Sequence, residues 1–154
     1  MEKNLISTIV ELISTQREDE WWDFKREHHH DKAELVHDIL CMANNRSRND
    51  SYIIFGIDND FSVVGVENDS HRRNQQGITD ILRNIAFAGG VRPRIEIQTV
   101  TIKNHEIDIL AIKDSHNVPY YLEKDYQDKG IKRKDGKKVW KACKSISYLY
   151  KSRR

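Results

Sequence analysis

The chemistry this chain could perform is concentrated in Glu18-Asp19-Glu20-Trp21-Trp22-Asp23-Phe24-Lys25. Read as a short strand over 20–25, the alternation puts Trp22 and Phe24 on one face and Trp21, Asp23 and Lys25 on the other. A carboxylate and an ammonium then point into the same space. That pairing suits metal-dependent cleavage of a phosphodiester: the carboxylate helps to hold a divalent cation, and the lysine offsets charge on the phosphate. Glu18, just ahead of the strand, could add a second carboxylate. A third could come from Asp58-Asn59-Asp60, with Asp58 preferred and Asp60 the alternative. Hard oxygen ligands of this kind fit Mg2+ or Mn2+, which keep several waters and need few protein ligands. The same residues also allow a plainer reading, an exposed ion pair on a strand and an ordinary turn.

Other candidates are weaker. His28-His29-His30 invites a metal reading, but consecutive side chains diverge and nothing pairs with them at ligand spacing, so they read as a solvated loop near the site. Trp21 could stack a base or belong to the core. Gly130 and Gly136 lack the Gly-Lys-Ser/Thr ending of a phosphate-binding loop. The two cysteines, Cys41 and Cys143, form no CxxC pair, and Cys41 sits in an apolar helical stretch, which reads as packing.

The elements that must position these groups follow from periodicity. Leu5, Ile6, Ile9, Val10, Leu12 and Ile13 predict a helix over about 3–16. Asp31 with Glu34 predicts the start of a second helix, whose buried face carries Leu35, Val36, Ile39 and Leu40 and which runs out near Asn44. Residues 52–57 and 61–66 flank Asp58-Asn59-Asp60 and predict a hairpin. A helix around 72–87 ends at Gly89-Gly90, a second hairpin spans 95–102 and 106–113, and Tyr120-Tyr121-Leu122 adds one more strand. The order α-β-α-β-β-α-β-β-β predicts a mixed α/β sheet in a single domain over 1–123.

At 154 residues and 32% charged side chains the chain can bury a core without a disulfide or metal staple. No run approaches the ~20 apolar residues of a membrane span, and no signal peptide precedes the first helix, so the cytoplasm is the expected location. The formal net charge of +2 conceals an asymmetry. From Lys124 to Arg154 there are twelve Lys and Arg against three acids, and residues 1–123 carry fourteen against twenty-one. An acidic body with a basic segment over 124–154, part of the same domain or a tail, points to a polyanionic partner.

Three pieces occur in a fixed order. They are Glu18 with Asp23-Phe24-Lys25, a helix ending Asp38-Ile39-Leu40-Cys41-Met42-Ala43-Asn44, and a hairpin from Ile53-Ile54-Phe55-Gly56-Ile57-Asp58 to Val64-Gly65-Val66. This succession resembles the Schlafen-type AlbA-like domain, and Pro119-Tyr120-Tyr121 resembles that family's later strand. The resemblance implies a nucleic-acid-binding α/β fold, a homodimer, and a metal-dependent endoribonuclease acting on structured RNA (tRNA or rRNA-like). The alternative is a non-catalytic DNA- or RNA-binding regulatory module. Carried over, Glu18, Asp23 and Asp58 match the three carboxylates and Lys25 the motif lysine. Arg46 and Arg48, together with Lys132, Arg133, Lys134, Lys137 and Lys138, are the expected phosphate contacts. Two departures stand out: Asp23 replaces the usual Glu, and Arg46-Ser47-Arg48-Asn49-Asp50 replaces a Gly-Gly pair.

Overall fold

The protein is represented by a computed structural model that describes residues 2–19, 21–44, 49–115, 120, 122 and 123. Three helices and four strands follow one another along it: α1 (Glu2–Ser14), β1 (Trp22–Lys25), α2 (Lys32–Ala43), β2 (Ser51–Phe55), α3 (Gln75–Arg83), β3 (Ile95–Ile102) and β4 (His105–Ile112). The strands form one sheet in the order β1-β2-β4-β3. β1 runs parallel to β2, with Asp23 opposite Ile53 and Lys25 opposite Phe55, and the other pairs are antiparallel. β1 and β3 are therefore the open edges. The predicted α/β class and mixed sheet are both present.

Each face of the sheet is covered because its strands alternate. Ile53, Phe55, Leu110 and Ile112 pack under α2 and α3, against Leu35, Val36, Ile39, Leu40, Ile78 and Leu82. Trp22, Phe24, Ile54, Ile107 and Ile109 pack under α1, against Ile9 and Leu12. The helix α2 starts where the sequence predicts, with the Asp31 carboxylate accepting the Ala33 N–H at 2.8 Å. It stops at Asn44, whose side-chain amide pairs with the backbone of Tyr120, accepting its N–H at 2.6 Å and donating to its carbonyl at 3.0 Å.

Two predicted strands differ. Beyond Phe55 the chain turns through Gly56 at φ 113° and Gly65 at φ 79°, and the 61–66 arm pairs with the residues after β2 at one isolated bridge, between Ile57 and Val63. Close backbone approach, with the N–H groups of Val64 and Gly65 both donating to the Gly56 carbonyl, replaces the hairpin ladder. Of the last predicted strand, Leu122 makes one bridge, to Phe87. Tyr121 and the basic segment from Lys124 onward lie outside the described residues.

Candidate functional site

The short strand β1 buries Trp22 and Phe24 and leaves Asp23 and Lys25 partly open, the alternation expected of it. The Lys25 ammonium lies 3.1 Å from the Asp23 carboxylate. It also lies 3.5 Å from Asp38, which projects from the middle of α2. Asp38 in turn stands 2.6 Å from His29 Nε2 and 3.4 Å from His37 Nδ1. Burial alone would raise the Asp38 carboxyl, but the two histidine hydrogen bonds and the lysine charge bring it well below the usual carboxylate range. The result is an ammonium held between two carboxylates where α2 covers the edge of the sheet.

The remaining predicted acids have other partners. Glu18 accepts the outward-pointing N–H of Phe24 at 2.9 Å and so closes part of β1's open edge. Asp58 is engaged by the Arg26 guanidinium at 2.6 Å and also accepts the N–H of Asn59. Asp60 accepts from the backbone and hydroxyl of Ser62, which lower its carboxyl and make it a turn cap. Among the described residues, no three His, Cys, Asp or Glu side chains gather closely enough to hold a metal ion. The donors have the right chemistry for Mg2+ or Mn2+, but Glu18, Asp23 and Asp58 as arranged do not form a three-carboxylate cage. Arg46 and Arg48 lie outside the described residues, as do Lys132, Arg133, Lys134, Lys137 and Lys138.

The three histidines are not a solvated loop, which corrects their reading from sequence. His28 is buried, stacked on Phe55 with ring centroids 4.1 Å apart. Its Nδ1 accepts the Arg73 N–H, so Nε2 carries the proton it donates to Asp108 at 2.8 Å. His29 turns the other way, to Asp38, and only His30 stands in solvent, beside Glu27. Asp108 is the hub of a second network, taking two hydrogen bonds from Arg72 at 2.9 Å each and one from Thr99 at 2.6 Å. Cys41, read as packing, is disulfide-bonded.

Sequence reading missed Asp38, His29 and His37 as neighbours of Lys25. One signal was available. His37-Asp38 interrupts the apolar run Leu35-Val36-Ile39-Leu40, and a charge on the sheet-facing side of a helix needs a partner.

Helices on both faces of a mixed sheet, with an acid–lysine pair on an edge strand, define an α/β domain built around a polar edge site. Residues 18–141 match the model of the Schlafen, AlbA_2 family, and the chain belongs to that family. Membership points to nucleic acid as the general class of partner. No curated protein matches the chain. No helix among the described residues is long and apolar enough to cross a membrane.

Proposed function

We propose that this domain binds nucleic acid, with the Asp23–Lys25–Asp38 cluster at the edge of the sheet facing the phosphodiester. The observation that carries the reading is the partly exposed Lys25 ammonium between two carboxylates, in a chain of the Schlafen AlbA_2 family. Asp23 and Asp38 outnumber Lys25, so this cluster does not by itself attract a phosphate. Affinity must come from basic groups elsewhere, and the excess of Lys and Arg after residue 123 is the largest reserve in the sequence.

The finer reading is an endoribonuclease acting on structured RNA such as tRNA with Mg2+ or Mn2+. The observation favouring it is the surplus of carboxylates, which a divalent cation would offset. Holding the ion with Glu18, Asp23 and Asp58 requires Asp58 to leave Arg26. The bound ion would supply charge stabilisation at the phosphate, and Lys25 would hold a proton-rich ammonium beside it. A non-catalytic binding module is the competing reading. A homodimer belongs to the same proposal, on family grounds.

Labelled tRNA incubated with the full chain, in Mn2+ and in EDTA, separates these readings. Nuclease action predicts fragments in Mn2+ only and a loss of roughly a hundredfold or more in rate for Asp23→Ala. A binding module predicts retention of tRNA in both buffers, no fragments, and indifference to Asp23→Ala. Absence of any binding at moderate salt overturns both.

A further inference from the structure

We propose that the exposed turn Gly89–Arg94 is a phosphate-contact element in which Arg92 and Arg94 grip neighbouring phosphates of one strand. The proposal rests on the nucleic-acid reading above and adds a contact surface to it.

The first observation is which cations are already engaged. Lys25, Arg26, Arg72 and Lys113 all sit on carboxylates. Arg92 and Arg94 are exposed, and neither has an ion-pair or side-chain hydrogen-bond partner among the described residues. Among the described residues the guanidiniums of Arg17 and Arg83 are open as well, but only Arg92 and Arg94 stand two residues apart in one exposed turn, and the planar fork suits phosphate oxygens.

The second is how the backbone presents them. Pro93 between them is buried, which anchors the chain beneath the two side chains. The residue before a proline is held extended, and Val91 already has extended φ −99° and ψ 124°. In extended chain, residues i and i+2 project to the same side, roughly 6.6 Å apart. That separation is of the order of the distance between successive phosphates. The far end is tied down, since the Arg94 carbonyl accepts the Lys113 N–H at 2.9 Å. At the near end Gly89 and Gly90 both adopt positive φ, and among the described residues a Cβ on Gly90 would meet nothing within 4 Å. Among the described residues, neither guanidinium has a partner that a phosphate would have to displace.

The third is its place in the fold. The Glu123 N–H donates to the Ala86 carbonyl, and Leu122 bridges Phe87. The last described residues, Leu122 and Glu123, therefore lie beside the residues that lead into this turn, and the sequence becomes strongly basic from Lys124 onward.

The test is the salt dependence of labelled-tRNA binding by the full chain between roughly 50 and 200 mM salt, the range over which counterion release is steep. Each of Arg92→Gln and Arg94→Gln is expected to lower the slope of log affinity against log salt by roughly 0.7–0.9, and the double variant by roughly 1.4–1.8. Lys103→Gln, which removes one charge from the exposed β3–β4 turn, is the control and should leave the slope near wild type. Unchanged melting temperatures exclude loss of fold. If wild type binds and the arginine variants behave like Lys103→Gln, the turn is not a contact and the nucleic-acid reading survives. If wild type does not bind, both fail.

Discussion

Asp108 and Asp38 are the two side chains that most constrain the interior around the site. Both are carboxylates that burial would push up, and both lie well below the usual range because partners surround them: His28, Arg72 and Thr99 for Asp108, and His29, His37 and Lys25 for Asp38. A charge this enclosed depends on every partner. Arg72→Ala would leave Asp108, itself 2% exposed, without its bidentate cation. Breaking a buried pair from one side costs about 3 kcal/mol or more. The urea midpoint should fall accordingly with an unchanged m-value, and a change under about 1 kcal/mol would mean that His28 and Thr99 suffice.

At the scale of elements, the bend after β2 decides where the Asp58 turn goes. Gly56 sits at φ 113°, and a Cβ there would meet Ile107 Cδ1 at 2.7 Å and the Gly65 Cα at 3.2 Å. Gly56→Ala therefore combines an unfavourable backbone region with a clash against the core, and a loss of about 2 kcal/mol is expected. Thermal melting checks it, and a melting temperature equal to wild type would show that the bend relaxes at no cost. Asn44 does comparable work at the end of α2. Its amide takes the place of a strand partner for Tyr120, tying the end of α2 to a residue 76 positions further along the chain.

Over the whole molecule, Asp38 and Asp108 couple stability to pH in one direction. Their folded values lie below the unfolded value of roughly 3.9, so the unfolded chain takes up protons first as pH falls. The stabilisation is fully present above about pH 4 and is lost as pH drops through the folded values. Denaturation series on wild type and Asp38→Asn should show stability falling more steeply for wild type below that point. Parallel curves would show that Asp38 is not a significant contributor.

The helices α1, α2 and α3, the capping of α2 by Asp31, the β3–β4 hairpin and the shared face of Asp23 and Lys25 are all readable from the order of the amino acids. Each of these rests on local periodicity or on a side chain bonding to backbone a few residues away. The family was also legible, because its pieces are short local patterns in a set order. Only the tertiary structure decided that Asp38 meets Lys25, that Asp58 turns to Arg26, and that adjacent histidines serve separate networks 70 residues apart in sequence, at Asp38 and Asp108. Those contacts depend on how α2 lies across β1 and how Gly56 and Gly65 fold the chain back. Spacing along one strand carries no record of what a helix or loop from elsewhere will bring against it.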